Sequence, residues 1–120
     1  MNETTESTVL DIIEAARDLV AAGWPELAYY GSYRPLARDL YGDVTDDTDP
    51  AAVAWSITGA VHAAAHDAEA TDLYYNTIGV LDDLVPDYNL STWEDDPERT
   101  QADALALLDA AAERIAKRTS

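Results

Sequence analysis

DPAAVAWSITGAVHAAAHDA, residues 49–68, is the stretch on which the fold turns. Asp49-Pro50 reads as a helix start, a capping residue followed by proline at the first helical position. Behind it Val53, Ile57, Ala60, Val61 and Ala64 share one face at helical spacing. Ser56, Gly59 and the alanines leave room for neighbouring backbones to come close. The spacing therefore predicts a long helix over 50–68, central and the most buried of the chain.

Working outward, the rest reads the same way. Upstream, Ser7 or Thr8 caps a first helix, with Asp11 in capping-box position after Thr8. Val9, Ile12, Ile13, Ala16, Leu19 and Val20 form its apolar face. Gly23 is the expected C′ residue, and Trp24-Pro25 ends the element. Residues 26–34, with Tyr29, Tyr30, Gly31 and Tyr33, read as a loop. Pro35 to Tyr41 reads as a short helix, with Gly42 beyond its end. Downstream, Leu73, Ile78, Leu81, Leu84 and Val85 mark a helix over 71–85 that Pro86 closes. Thr100 with Asp103 repeats the capping-box spacing and opens a last helix over 100–117. Ala104, Leu105, Leu108, Ala111, Ala112 and Ile115 are its stripe. Arg114, Lys117 and Arg118 sit where cations complement the helix dipole. With principal helices near 7–22, 50–68, 71–85 and 100–117, a connecting helix near 35–41 and a frayed tail over 1–6, the expectation is a single all-α domain, a compact bundle spanning 1–120.

Composition narrows the classes of function. At 120 residues with 48% hydrophobic content, the chain has enough apolar material for a core without help. Cysteine is absent, which removes disulfides, thiolate metal sites and thiol nucleophiles together. No basic leader with an apolar core opens the chain, and no apolar run approaches a membrane span. The reading is a cytoplasmic protein with no membrane attachment. The formal net charge is −17 and no basic footprint exists, so direct nucleic-acid binding is not expected.

Four pieces in order carry a resemblance. They are the opening amphipathic helix ending Gly23-Trp24, the stretch Ala54-Trp55-Ser56-Ile57-Thr58-Gly59-Ala60, the segment Trp93-Glu94-Asp95-Asp96-Pro97, and Arg99-Thr100 leading into Ala104–Ala112. In these the chain resembles domain of unknown function 6197, a family of short helical proteins of actinobacteria and their phages. Glu94 stands where the family's W-N-D-x-P segment has Asn, and no Cys lies near position 55. The resemblance implies a compact helical domain and no activity. Its strongest motif reads as a helix-entry device: Trp93 packs down, Asp95 or Asp96 caps backbone amides, and Pro97 begins a turn.

Candidate chemistry is sparse. His62 and His66 are the only histidines, four apart on a helix and workable as metal ligands. The zinc signature HExxH needs Glu where Ala63 stands, so ligands would have to come from another helix. Asp82-Asp83 point about 100° apart on a helix and chelate poorly. The acids of 43–49 lack the glycine and terminal glutamate of a calcium loop. No nucleophile elbow surrounds Ser56. No cofactor is expected.

Charge placement is the most specific signal. Between Arg38 and Arg99 there is no Lys or Arg, while fifteen of the 24 acids lie there, so one sign dominates the central half. Salt adaptation would spread charge evenly. Mimicry of nucleic acid, or an interaction surface that steers a basic partner, would concentrate it. The expected function is a small, acidic, non-enzymatic interaction protein that binds a basic protein surface, a phage-type inhibitor or nucleic-acid mimic being one form of this. Its binding residues are Asp46, Asp47, Asp49, Asp82, Asp83, Asp87, Glu94 and Asp95, with Tyr30 and Tyr33 as aromatic anchors. The competing reading is a small-molecule-binding or metal-assisted enzyme domain centred on His62 and His66.

Overall fold

A computed structural model describes residues 3–25, 34–86, 89–96 and 98–119. Five α-helices and three short strands follow in the order α1 (Glu3–Ala22), β1 (Ala37–Asp39), β2 (Val44–Thr45), β3 (Ala52–Trp55), α2 (Ile57–Asp67), α3 (Tyr74–Asp82), α4 (Leu90–Glu94) and α5 (Gln101–Thr119). A single 3₁₀ turn, Thr71–Leu73, leads into α3. The fold is mostly helical but not all-α, because a small antiparallel sheet sits among the helices.

The two terminal helices follow their stripes. Val9, Ile12, Ile13, Ala16 and Val20 of α1 are buried, as are Ala104, Leu108, Ala111 and Ile115 of α5. The Thr100 capping box is formed in both directions. Asp103 N–H donates to Thr100 Oγ1 at 3.1 Å, and Thr100 N–H donates to Asp103 Oδ2 at 3.0 Å. These two donors belong to the first turn, where the helix cannot satisfy them itself. α1 starts at Glu3, before the expected Ser7–Thr8 cap. It packs on α2 along one side and on α5 along another, and also meets β3 and α3. α1, with 20 residues, is the longest helix, while α2 is shorter than expected, 11 residues, yet has six of them buried and meets α1, α3, α4 and β3.

Residues 49–68 correct the helical reading. Asp49-Pro50 begins a turn, but a β-turn: Ala52 N–H donates to the Asp49 carbonyl at 2.9 Å, and Ala51 N–H to Asp49 Oδ1 at 2.8 Å. Pro50 takes the second turn position that its fixed φ suits. Ala52 to Trp55 then run extended. Val53, placed on the buried face of a helix by its spacing, is 42% exposed on the strand. The true cap is Ser56, in extended conformation, whose side chain accepts from Gly59 N–H at 3.0 Å.

The connecting helix expected over 35–41 is a hairpin strand. β1 pairs with β2 on one side and β3 on the other, in register Ala37↔Thr45 and Ala37↔Trp55, with a bulge between Arg38 and Asp39. Gly42, at φ 83°, supplies the left-handed turn position that only glycine takes cheaply. Asp39 Oδ1 accepts from the amides of Tyr41 and Asp43 and closes the turn. Asp39 thus stabilises the hairpin alternative to a helix.

Close approach explains two other glycines. A Cβ on Gly59 would overlap the Leu36 carbonyl, and one on Gly23 the Val53 carbonyl. Gly23 is therefore a packing residue; Trp55 N–H donates to its carbonyl at 3.0 Å. These contacts clamp the sheet between the end of α1 and the start of α2.

Candidate functional site

The hairpin carries the 46–49 turn to the side of α2. Asp46 Oδ1 accepts from Thr48 N–H at 2.9 Å and from its hydroxyl at 2.7 Å, which fixes the turn and lowers the Asp46 pKa. Trp55 Nε1–H donates to the Asp47 carbonyl at 3.0 Å, anchoring the next residue. Asp47 is turned inward and only 4% exposed. His62, on the adjacent turn of α2, donates from Nδ1–H to Asp47 Oδ1 at 2.8 Å. A carboxylate accepts, so the contact sets the tautomer and leaves Nε2 as the unengaged ring nitrogen.

His62 opens on a cleft of about 300 Å³ lined by Leu36, Asp47, Thr58, Thr71, Tyr74 and Tyr75 besides itself. The His62 and Tyr74 rings meet edge to face with centroids 5.6 Å apart. Behind Thr58 lies Glu94, from α4. Its carboxyl takes Thr58 N–H at 3.2 Å and contacts the Thr58 hydroxyl. Burial is the main cause that pushes Glu94 up to about 7, partly opposed by the bonds from Thr58. A carboxyl 4% exposed holds its proton to an unusually high pH.

A larger groove of about 670 Å³ runs on the other side of Asp47, between α1, α2 and the 47–50 turn. Asp11, Asp18, Asp47, Asp49 and Asp67 line it, with Ile12, Leu19, Trp55 and Ala64 among its apolar residues. Among the described residues no Lys or Arg does. His66 lines this groove and His62 the cleft, so the two histidines open on different cavities. Among the described residues no group of three or more His, Asp or Glu is placed to hold a metal ion.

Arg34 organises a third region, and the charge argument passed over it. Its guanidinium is buried and donates to four main-chain oxygens: Glu94 at 2.7 Å, Pro25 at 2.6 Å, Asp96 at 2.9 Å and Arg99 at 3.3 Å. Its own N–H donates to Asp95 Oδ1 at 2.8 Å, and its charge lies 4.4 Å from the Trp24 ring centre. Burial lowers its pKa, offset in part by Glu94 and Asp95. Beside it Arg99 stacks 3.9 Å over Trp93 and donates to the Trp93 carbonyl. Trp24, Trp93, Asp95 and Arg99 come from segments that carry the family resemblance, and they converge here. The region is a structural joint.

The expected binding residues therefore divide. Asp46, Asp49 and Asp83 are exposed. Asp82 accepts from Leu90 N–H at 2.9 Å and positions α4. Glu94 and Asp47 are buried, and Asp95 serves Arg34, so the 94–96 connector is not the acidic rim the charge pattern suggested. Tyr30, Tyr33 and Asp87, like Pro97, lie outside the described residues. Ser56 is a buried helix cap.

These features define a mostly helical class in which a three-stranded antiparallel sheet clamps the helices and places two cavities on either side of one inward aspartate. The chain belongs to the family described as a family of unknown function (DUF6197), whose pattern covers residues 4–114. No curated protein and no solved structure matches it. Among the described residues no helix is long and apolar enough to cross a membrane.

Proposed function

We propose that this chain is an interaction protein that takes a basic protein segment into the groove between α1 and α2. One observation carries the reading. Among the described residues, five aspartates and no Lys or Arg line a groove whose other residues include Leu19 and Trp55. Acids steer a cationic partner, and apolar contacts with a half-buried indole supply short-range affinity. The hairpin separately exposes Leu40, Tyr41 and Val44. The concentration of acids between Asp39 and Glu98 supports the same reading, although part of it is spent on internal bonds.

Capture from a host-type lysate at low and at about 0.5 M salt tests this, since that range screens charge steering. A variant carrying Asp11→Asn, Asp18→Asn, Asp49→Asn and Asp67→Asn runs beside the parent. A basic partner lost both with salt and in the variant is the expected result. Equal recovery by parent and variant would refute the groove.

A further inference from the structure

The cleft over His62 has a chemistry of its own, separate from the groove. Its walls are aromatic. Tyr74 meets His62 at 83° and Tyr75 at 76°, with ring centroids 5.6 and 5.0 Å apart, so successive rings stand nearly perpendicular. Rings set this way turn their electron-rich faces in different directions and form a corner. Tyr75 is 80% exposed, a large aromatic held at the mouth with little protein over it.

The electrostatic field in the cleft has one sign. Among the described residues no Lys or Arg lines it. Asp47 contributes from the 46–49 turn, and Glu94 of α4, one hydrogen bond behind Thr58 of α2, adds its charge once pH passes about 7. The Tyr74 hydroxyl of α3 is held above its ordinary value by burial first, then by Glu94, Tyr75, Asp47 and Asp82. Every charged neighbour on that list is an acid. In its neutral form His62, fixed by Asp47 through Nδ1–H, offers the lone pair of Nε2 as an acceptor. The volume of about 300 Å³ is at the small end of ligand pockets, roughly 300–1,000 Å³.

We propose that this cleft binds the head of a small alkylammonium, a primary to tertiary amine in its protonated form. The ammonium N–H donates to His62 Nε2, and the carbons attached to nitrogen lie against the Tyr74 and Tyr75 rings. Cation–π attraction and the acid field reject a carboxylate of the same size. The amine is either a free small molecule or the side chain of a lysine on another protein; the recognising chemistry is the same.

The test is a titration of the whole chain followed through the ring signals of His62, Tyr74 and Tyr75 by NMR. The probes are n-butylammonium, butan-1-ol and butyrate, which share a chain and differ in the head. Nα-acetyl-lysine methylamide forms a further arm. Saturable shifts confined to the cleft rings, with butylammonium at least tenfold tighter than butanol, are expected. Tyr75→Ala, an exposed change that leaves the core alone, should weaken butylammonium about 3- to 10-fold. Binding of the lysine amide at similar strength identifies a side chain as the ligand source, and binding of butylammonium alone identifies a free amine. Equal binding of butanol or butyrate overturns the proposal. So do shifts spread over the acidic surface without saturation, or a Tyr75→Ala variant that binds as well as the parent. The four-aspartate groove variant should keep the parent's butylammonium affinity, which separates this proposal from the groove reading.

Discussion

Replacing Glu94 by Gln should stabilise this protein at alkaline pH and leave it nearly unchanged in acid. Glu94 is 4% exposed and its pKa rises from an ordinary 4.5 to about 7. In the unfolded chain the carboxyl ionises near 4.5. Between the two values the folded state holds the extra proton, so stability falls as pH rises. The contribution is complete below pH 4.5 and gone once pH has passed about 7. At about 1.4 kcal/mol for each pH unit of that window, the loss is about 3 kcal/mol. Gln keeps the shape and cannot ionise. Its oxygen accepts from Thr58 N–H, and its amide donates to the Thr58 hydroxyl, as a protonated Glu94 would. Thermal unfolding at pH 4, 6 and 8 should give coincident midpoints for parent and Glu94→Gln at pH 4. The variant should be higher by about 10 °C at pH 8, or somewhat less if the amide fits imperfectly. Parallel curves for the two proteins across the whole range would refute the argument, because they would show that Glu94 ionises without cost.

Further outcomes follow from the packing and the charge. Gly59→Ala should destabilise, despite alanine's better helix propensity, because the new methyl meets the Leu36 carbonyl; Gly79→Ala, with nothing within 4 Å, should instead stabilise by about 0.5–1 kcal/mol. Chemical denaturation of both variants checks the opposite signs. Arg34→Lys should cost about 3 kcal/mol or more, since one ammonium cannot reach four diverging carbonyls, and the same denaturation series reads it out. Leu108→Ala, at a site with no exposure, should lower stability by about 2–5 kcal/mol. Raising salt to about 0.5 M should raise the thermal midpoint by screening the excess negative charge; an unchanged midpoint would mean that the acids are already well dispersed.

How far the fold was legible depended on the length of each pattern. α1 and α5 have stripes of several turns, and Thr100 with Asp103 announces its own capping box. The sheet was hidden because its strands have two to four residues, too few for alternation to stand out. Ala52 to Trp55 were also absorbed into an alanine-rich run whose helical spacing continues past them. Asp49-Pro50 is a good helix start until tertiary contacts decide. Clamping of β3 between Gly23 and β1 decides it. The Asp47–His62 pair spans fifteen residues and exists only because the hairpin returns the turn to α2. Arg34 gave one signal, a lone base beside Pro35 in a chain poor in bases. Its partners are main-chain oxygens, which no side-chain pattern records.

That choice of partners shapes how the chain tolerates change. Arg34 binds residues 94, 96 and 99 through their carbonyls, which every amino acid possesses. These bonds are therefore indifferent to side-chain identity at 94, 96 and 99. Asp95, which receives the Arg34 amide, and Arg99, which stacks on Trp93, are committed to the joint by their side chains. A carboxylic acid at position 94, where the resemblance leads one to expect an amide, keeps the Arg34 bond to its carbonyl and sets its side chain against Thr58. The segment can drift in sequence to alter the chemistry beside Thr58 while its main chain stays fastened to the same guanidinium.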